Sequence, residues 1–250
     1  MFNLNEGIFY MIKVDAEWQM YLIMISFVLI VLVSAYLLGS VNSAIIISKL
    51  LYKDDIRKYG SGNAGMTNML RTFGKKAAVL TLVGDLLKTA LAILVSAVFF
   101  GFHYTLGICM QEFCYAAGLF AVLGHVFPIY YKFKGGKGVL ATATMALILT
   151  PVPFALLLLL FIGIVAVSKY VSLGSVCVAT LYPVLVAGYA KLIGVPTPGI
   201  MMLSTIILAI FIVWCHRGNL KRISERTERK ISFGKGKKEK IEKDASDDEE

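Results

Sequence analysis

The composition of the chain excludes a soluble globular protein. Its 250 residues are 58% hydrophobic and 16% charged, whereas a soluble domain carries about 25% charged residues. The formal net charge of +9 therefore bears on orientation in a membrane, and no nucleic-acid partner is predicted.

Apolar stretches along the chain predict an all-α, polytopic membrane helix bundle with about seven transmembrane helices. These stretches cover approximately residues 18–42, 76–100, 113–131, 138–150, 154–168, 172–190 and 199–215. The fourth and fifth are short, and the alternative is one hairpin that only partly enters the bilayer, with its break near Pro151 and Pro153. Residues 1–230 are predicted to form the membrane domain, and the charged residues 231–250 a disordered cytoplasmic tail.

The distribution of basic residues orients these helices. Lys and Arg are concentrated in segments 43–75 and 132–137 and directly after the last apolar stretch, whereas segment 101–112 contains none. Cytoplasmic loops of membrane proteins carry an excess of Lys and Arg. We therefore expect the N-terminus outside, the C-terminus in the cytoplasm, and all three basic segments at the cytoplasmic face.

The first basic segment contains a glycine-rich stretch that ends at Arg71. Three glycines within residues 60–65 leave backbone N–H groups uncovered, which suits a phosphate or another compact anion. Arg71 adds a planar, permanently charged guanidinium. An ordinary polar turn is the alternative, since Gly, Ser and Asn also form turns. The candidate ligand-binding residues here are Ser61, Gly62, Asn63, Gly65, Thr67, Asn68 and Arg71.

Two charged residues, Asp85 and Lys88, interrupt the second apolar stretch. They are three positions apart and therefore share one face of a helix. Charges inside a membrane helix are costly and usually face a partner or a wet cavity. Both a mutual ion pair and the wall of a polar pocket remain open.

The second polar segment lies between the third and fourth apolar stretches. Gly135, Gly136 and Gly138 free the backbone where a helix begins, and Lys137 adds a positive charge. Because the N-terminus of a helix attracts anions, this segment predicts an anion site. The alternative is a loop that only anchors the protein through its lysines.

The third polar segment follows the last apolar stretch. His216 and Asn219 are three residues apart, so they share a face if the helix continues. A histidine can exchange protons near neutral pH, and an asparagine can hold an oxyanion or a carbonyl. A lone histidine at a membrane boundary is more often structural.

Several common chemistries lack their motifs. Residues 60–65 fit G-x-G-x-x-G, but no strand precedes them and Asp85 lies in a membrane span, which argues against dinucleotide binding. A Walker loop, a nucleophile elbow and paired histidines with a carboxylate are also absent from the sequence. No cofactor and no metal are therefore expected. The residues suit either direct transfer between two aligned anionic groups or a carrier for an organic phosphate.

Three motifs of the chain resemble those of the PlsY family, the bacterial acyl-phosphate:glycerol-3-phosphate acyltransferases. The first resembles S-G-N-x-G-x-T-N-x-L-R-x-x-G and is matched by Ser61, Gly62, Asn63, Gly65, Thr67, Asn68, Leu70, Arg71 and Gly74. The second, F-x-G-G-K-G-V, is matched by Phe133, Gly135, Gly136, Lys137, Gly138 and Val139. The third, H-x-x-N-I-x-R-L-x-x-G-x-E, is matched by His216, Asn219, Arg222 and Glu228. In the third motif, Arg226 stands where the family has a glycine.

The resemblance implies transfer of a fatty acyl group from acyl phosphate to glycerol 3-phosphate, which gives lysophosphatidic acid. It implies these two substrates and membrane lipid as partners, and an active site at the cytoplasmic face of a bacterial inner membrane. The implied catalytic residues are Ser61, Arg71, Lys137, His216 and Asn219. The implied substrate-binding residues are Gly62, Asn63, Gly65, Thr67, Asn68, Gly135, Gly136 and Gly138. A carrier of glycerol phosphate is the runner-up, and an acyltransferase that uses acyl-CoA or acyl carrier protein is a second alternative.

Overall fold

The structure is a computed structural model that describes residues 7–13, 15–101, 104–105, 108–109, 111–197 and 199–231. Its helices are α1 (Glu17–Ser40), α2 (Ser43–Tyr52), α3 (Met66–Phe73), α4 (Lys75–Phe100), α5 (Gln111–Val126), α6 (Val139–Leu149), α7 (Pro151–Ser168), α8 (Val171–Leu192), α9 (Gly199–Cys215) and α10 (Arg217–Ser224). Single 3₁₀ turns lie at Phe9–Met11, Ile56–Lys58 and Ile129–Tyr131. Two short antiparallel strands, β1 (Tyr104–Thr105) and β2 (Ile108–Cys109), connect α4 to α5.

The predicted all-α membrane bundle is confirmed, and each predicted apolar stretch forms a helix. Within the described residues, five helices are long and apolar enough to cross a membrane, or six if the bent pair α9–α10 counts as one span. Among the helices that match the predicted apolar stretches, α6 is too short to cross a membrane, because its 11 residues extend only about 16 Å at 1.5 Å per residue. The count of seven spans and the orientation of the bundle stay predictions.

The break between α6 and α7 follows from the sequence. Pro151 is the first residue of α7, a position where the missing N–H has no helical partner to lose. The α7 helix is 18 residues long with a mean hydropathy of 2.5. It is therefore long enough to span on its own, and only the fourth predicted stretch is short.

Helix α5 is the centre of the bundle. It packs against α1, α4, α6 and α9, and small residues permit the closest of these contacts: a Cβ on Gly39 of α1 would lie 2.1 Å from the carbonyl oxygen of Ala121. By contrast, α7 exposes large apolar side chains, among them Leu159 at 68% and Val167 at 87% of their surface. Such a surface is suited to lipid contact.

Three short helices, α2, α3 and α10, lie outside the predicted apolar stretches. The Asn42 side chain caps α2 by accepting a hydrogen bond from the Ile45 N–H at 3.0 Å. Tyr52 at the end of α2 stacks on Phe73 at the end of α3, with ring centroids 4.2 Å apart. The two helices thereby enclose a small apolar cluster under the first glycine-rich loop, which gives that loop a fixed base.

The predicted tail, residues 231–250, lies outside the described residues except for Ile231. The segment before it folds back onto the bundle. The Ile231 N–H donates to the Lys169 carbonyl at 2.8 Å, next to the connection between α7 and α8. The chain after α10 therefore passes over one end of the helix bundle.

Candidate active site

The first glycine-rich loop joins the 3₁₀ turn at Ile56–Lys58 to helix α3. Gly60 has a φ of +59° and Gly62 a φ of +68°, which is the left-handed region that glycine adopts without steric cost. The Gly62 N–H donates to the Tyr59 carbonyl at 2.9 Å, which closes the turn. Gly65 then precedes the first residue of α3. These glycines therefore serve the backbone conformation of the loop.

The side chain of Asn68 holds this loop in shape. Its Oδ1 accepts a hydrogen bond from the Ser61 N–H at 3.2 Å. Its Nδ2 lies 3.0 Å from the Tyr59 carbonyl, 3.1 Å from that of Asn63 and 3.3 Å from that of Ile56. Asn68 is only 2% exposed. All the polar atoms of this side chain are thus engaged by the loop itself, and its contact with a ligand stays a prediction.

The remaining predicted residues of the first loop are more accessible. Ser61 and Gly62 are exposed, and Asn63, Gly65 and Thr67 are half-buried. Arg71 lies on α3 one helical turn after Thr67 and is also exposed. Its Nη2 donates to the Arg229 carbonyl at 3.1 Å. Desolvation lowers the pKa of Arg71 from its ordinary value, while the nearby Glu228 carboxylate opposes this shift.

The second glycine-rich loop is held by the end of α5. The Gly135 N–H donates to the Val126 carbonyl at 3.2 Å and the Gly136 N–H to the His125 carbonyl at 3.0 Å. A Cβ on Gly135 would lie 2.1 Å from the His125 carbonyl oxygen, and one on Gly136 would lie 2.0 Å from His125 Nε2. Both glycines therefore permit close packing, and their N–H groups already have backbone acceptors. Gly138, with a φ of +78°, precedes α6.

Lys137 connects the second loop to the third polar segment. Its Nζ donates to Asn219 Oδ1. Desolvation lowers the pKa of Lys137 to about 8, an effect that the positive charges of Arg222 and Arg71 strengthen and the negative charge of Glu228 opposes. Lys137 is therefore the cation of this region whose charge is most easily lost near neutral pH.

The third polar segment bends where the last membrane helix ends. Helices α9 and α10 form an angle of 51° at His216, so the helix does not continue straight as the shared-face prediction assumed. His216 is 4% exposed, and its Nδ1 lies 2.7 Å from the Ile212 carbonyl oxygen. Since a carbonyl only accepts, Nδ1 carries the hydrogen and Nε2 keeps the lone pair.

Glu228 organises this segment, a role that the sequence analysis did not assign. Its carboxylate accepts hydrogen bonds from Asn219 Nδ2 at 2.7 Å, Arg222 Nε at 2.8 Å and Ser172 Oγ at 3.0 Å. Burial raises the pKa of Glu228, but the three hydrogen bonds outweigh burial, so that its pKa lies below the ordinary value. Its place as the last residue of the third motif was the available sequence signal.

Arg57 is a second residue that the sequence analysis missed. Its Nη1 donates to the carbonyls of Tyr131 at 3.1 Å and Lys134 at 3.3 Å. Its Nε and Nη2 donate to the Asp55 carboxylate at 3.0 and 2.7 Å. This arginine therefore ties the first loop to the second, whereas the sequence indicated only one more positive charge at the cytoplasmic face.

These contacts bring the three polar segments together at one end of the bundle. Arg57 joins the first loop to the second, Lys137 joins the second to the third, and Arg71 joins the first to the chain after α10. Arg57 and Arg222 are paired with carboxylates. The region therefore offers Arg71 and Lys137 as its remaining cations, together with the amide of Asn219 and the lone pair of His216. Such groups can bind anions and stabilise negative charge as it develops.

The structure also bears on the two alternatives for Asp85 and Lys88, a mutual ion pair and the wall of a polar pocket. Asp85 and Lys88 form the predicted ion pair, with Lys88 Nζ 2.9 Å from Asp85 Oδ1 and both side chains buried. The ion-pair interpretation of Asp85 and Lys88 is therefore confirmed.

In the part of the chain that the structure describes, no three His, Cys, Asp or Glu side chains lie close enough to hold a metal ion.

Comparisons with known proteins point in one direction. A family model described as glycerol-3-phosphate acyltransferase matches residues 29–226. A glycerol-3-phosphate acyltransferase of Halalkalibacterium halodurans is 41% identical over 205 residues, which cover 81% of this chain and 94% of that protein. One from Paraburkholderia phytofirmans is 39% identical over 204 residues, which cover 81% and 90%.

Solved structures agree with these relatives. The chain is similar to a crystal structure of PlsY (YgiH), an integral membrane glycerol 3-phosphate acyltransferase, in its glycerol 3-phosphate form. The TM-score is 0.71 and the identity 31%, over 82% of this chain and 96% of that one. The lysophosphatidic acid form of the same protein gives a TM-score of 0.69 at 30% identity, over 82% and 95%.

Proposed function

The chain belongs to the glycerol-3-phosphate acyltransferase family and is an integral membrane acyltransferase, and we propose that its acyl donor is acyl phosphate. The reaction transfers a fatty acyl group to the sn-1 hydroxyl of glycerol 3-phosphate and gives lysophosphatidic acid and inorganic phosphate. The family match confirms the resemblance to the PlsY family. Membership of an enzyme family argues against the alternative that the protein is a carrier of glycerol phosphate.

The convergence of three polar segments is the observation that carries this function. Arg71 and Lys137 come from different segments, yet their charges are close enough for Arg71 to lower the pKa of Lys137. Each of the two substrates carries a phosphate, so a site that holds both needs positive charge. Two cations beside apolar helices therefore suit the pairing of a small polar acceptor with a donor that has a lipid tail.

We place glycerol 3-phosphate at Ser61, Arg71 and Lys137. The guanidinium of Arg71 can bind a phosphate through two parallel hydrogen bonds, and the ammonium of Lys137 acts as a point charge. Ser61 is exposed at the first loop and supplies a hydroxyl for the glycerol hydroxyls. In this arrangement Arg71 exchanges the carbonyl of Arg229 for a substrate oxygen.

We place acyl phosphate at Thr67, His216 and Asn219. Thr67 can donate a hydrogen bond through its hydroxyl, and Asn219 through the second hydrogen of its Nδ2, since the first is donated to Glu228. The acceptor would be the phosphate or the carbonyl oxygen of the donor. Asn68, Gly135 and Gly136 support this site by shaping the two loops rather than by contact with the donor. Gly62, Asn63, Gly65 and Gly138 complete the loop backbones.

The reaction needs orientation more than a covalent intermediate, because phosphate is already a good leaving group. The sn-1 hydroxyl oxygen forms a bond to the acyl carbon, and the bond between that carbon and the phosphate oxygen breaks. The hydroxyl proton passes to a base, either His216 or a phosphate oxygen of the donor, and leaves with inorganic phosphate. The lone pair at Nε2 of His216 supports the histidine as the base that accepts this proton.

We further propose that the site faces the cytoplasm at a bacterial inner membrane. The three polar segments that form the site are also the basic segments of the chain. An excess of Lys and Arg is typical of cytoplasmic loops. This orientation lets the water-soluble glycerol 3-phosphate reach the enzyme directly from the cytoplasm.

The test uses purified protein in detergent or lipidic mesophase with palmitoyl phosphate and glycerol 3-phosphate. Release of inorganic phosphate and formation of lysophosphatidic acid are followed together, with Ser61→Ala and Arg71→Ala as control variants. Parallel reactions replace palmitoyl phosphate by palmitoyl-CoA or palmitoyl acyl carrier protein. We expect the two products in equal amounts from palmitoyl phosphate and a strong loss of both in each variant.

Turnover with palmitoyl-CoA or the carrier protein, but none with palmitoyl phosphate, would overturn the proposed donor. Full activity of Ser61→Ala or Arg71→Ala would remove that residue from the site. Binding of glycerol 3-phosphate without product from any donor would contradict the transfer reaction itself.

A further inference from the structure

A buried polar network lies directly behind the second glycine-rich loop. It consists of Asp85 and Lys88 on α4, His125 at the end of α5, and Ser43 at the start of α2. Asp85, Lys88 and His125 are 1%, 5% and 3% exposed. Burial of charged groups in a membrane protein is costly, and a mutual ion pair between Asp85 and Lys88 does not explain why His125 is included.

The hydrogen bonds of the Lys88 ammonium determine which ring nitrogen of His125 carries the hydrogen. Lys88 Nζ lies 2.9 Å from the Val41 carbonyl oxygen, 2.9 Å from Asp85 Oδ1 and 2.8 Å from His125 Nδ1. An ammonium group only donates, so Nδ1 must accept. The ring hydrogen is therefore on Nε2, the opposite assignment to that of His216. Ser43 Oγ completes the network by donating to Asp85 Oδ1 at 3.1 Å.

His125 supports the glycine loop with both its backbone and its ring. Its carbonyl accepts the Gly136 N–H at 3.0 Å. Its Nε2 occupies the space beside Gly136, where a Cβ would come within 2.0 Å. The residue after Gly136 is Lys137, whose ammonium binds Asn219. The imidazole therefore packs on the residue that directly precedes Lys137.

We propose that His125, oriented by Lys88, is a positioning residue of the transfer reaction. Its ring sets the backbone of Gly136 and thereby places the Lys137 ammonium for glycerol 3-phosphate. Gly136 is then a glycine because of the imidazole behind it, and not because a substrate approaches it. This inference rests on the proposed function, because it assigns Lys137 to glycerol 3-phosphate.

A double-mutant cycle tests the inference with wild type, Gly136→Ala, His125→Asn and the double variant. The measured quantities are kcat, and KM for glycerol 3-phosphate and for palmitoyl phosphate. Asparagine keeps an acceptor for Lys88 but lacks the ring beside Gly136. A displaced catalytic group costs about 100-fold in activity, so we expect that loss in kcat/KM for Gly136→Ala and about tenfold for His125→Asn.

Two results are expected. First, the losses in kcat/KM arise mainly from a raised KM for glycerol 3-phosphate. A merely structural defect would lower the fraction of folded enzyme and would leave this KM unchanged. Second, the double variant is no worse than His125→Asn alone, since removal of the ring makes room for the added methyl group. Losses that multiply in the double variant, or an unchanged KM for glycerol 3-phosphate in His125→Asn, would overturn the inference.

Tyr182→Phe is the matched control. It removes the buried hydrogen bond between Tyr182 and Thr150, whose oxygen atoms are 3.1 Å apart, at the end of α6 opposite to Gly138. We expect a lower unfolding temperature with an unchanged KM for glycerol 3-phosphate. If the His125 variants merely behave like Tyr182→Phe, His125 is a structural core residue.

A measurement on unaltered His125 covers the case that its variants do not fold. In protein labelled with ¹⁵N-histidine, with the other two histidines replaced, Nδ1 of His125 should lack a hydrogen and Nε2 should carry one. A hydrogen on Nδ1 contradicts the orientation by Lys88. Absence of lysophosphatidic acid in the wild type would instead refute the proposed function, so the two failures are distinguishable.

Discussion

The two glycine-rich loops look alike in sequence but use their glycines differently. Each combines three glycines with a cation: Arg71 follows the glycines of the first loop, and Lys137 lies between Gly136 and Gly138 in the second. In the first loop Gly60 and Gly62 adopt positive φ angles. A Cβ would meet side chains at Gly60 and only the Arg57 carbonyl oxygen, at an ordinary contact distance, at Gly62. In the second, Gly135 and Gly136 lie against the backbone and ring of His125.

The comparison shows that glycine content alone does not identify a nest of free N–H groups. A positive φ can be adopted by other residues at a moderate energetic cost, whereas a backbone atom in the place of a Cβ leaves no alternative to glycine. The second loop should therefore tolerate fewer substitutions than the first. The largest contrast is expected between a substitution in the second loop, at Gly135, and its counterpart in the first, at Gly62. Progressively smaller effects are then expected at Arg71, Lys137 and Arg226.

The largest effect is expected from Gly135→Ala. The added methyl group would overlap the His125 carbonyl oxygen and the Pro128 ring, and the backbone in the tightly packed end of α5 has little room to move. We expect a loss of about 1,000-fold in kcat/KM together with destabilisation of about 3 kcal/mol or more. Steady-state kinetics and thermal unfolding in detergent measure both.

Gly62→Asn is the matched substitution in the first loop. Asparagine tolerates the left-handed region, and a Cβ at Gly62 would contact only the Arg57 carbonyl oxygen, at 3.4 Å. We expect a loss of stability of about 1 kcal/mol. A loss of kcat/KM as large as that of Gly135→Ala would contradict the distinction between the loops and would indicate that Gly62 contacts substrate.

Arg71→Lys tests the cation of the first loop. The substitution keeps the positive charge but removes the planar fork that binds a phosphate through two hydrogen bonds. We expect a loss of about 100-fold in kcat/KM, the size found on removal of one transition-state donor, with normal expression and an unchanged unfolding temperature. Turnover like that of the wild type would exclude a role for the guanidinium.

The sequence predicted the helices well because their cause is local. A run of apolar residues specifies a membrane helix wherever its neighbours lie, and the seven predicted stretches all form helices. The short helix α6 was also foreseen, since Pro151 ends the preceding stretch. The predicted site residues are brought together because the motifs lie on segments at one end of the bundle.

The sequence did not reveal which of these residues hold their own loop in shape. Asn68 was predicted to bind a ligand, and its hydrogen bonds connect residues 56 to 63 of its own loop. The bridging roles of Arg57 and Glu228 depend on partners 74 and 56 residues away along the chain. Such contacts arise only from the tertiary fold, so composition and spacing carry no sign of them.

The pH dependence of kcat/KM for glycerol 3-phosphate tests the cation of the second loop. Because desolvation lowers the pKa of Lys137 to about 8, the ammonium is charged below that pH and neutral above it. Substrate binding should therefore weaken as pH rises, by about tenfold for each further pH unit. Arginine stays protonated throughout.

The control for this profile is Lys137→Arg, which should be less active because the larger head group fits poorly against Asn219. Its activity should nevertheless stay flat across the same pH range. An inflection near pH 8 that survives in Lys137→Arg would belong to another group, and the assignment of Lys137 to the phosphate of glycerol 3-phosphate would lose its support.

The smallest effect is expected at Arg226, where a positive φ occurs without a glycine. Arg226 has a φ of +59° just after α10, and the turn that follows brings Glu228 back to Asn219 and Arg222. The left-handed conformation costs a residue with a Cβ about 1 kcal/mol. Glycine removes this strain but is more flexible in the unfolded chain, so the two effects nearly cancel.

We therefore expect Arg226→Gly to change the unfolding temperature by only a few degrees, whereas Arg226→Val should lower it clearly, because a β-branched side chain is a poor fit for positive φ. Since the side chain of Arg226 is exposed, neither variant should change KM. Equal unfolding temperatures for the glycine and valine variants would mean that the turn is not left-handed in solution. The position of Glu228 beneath Asn219 would then require a different path of the chain after α10.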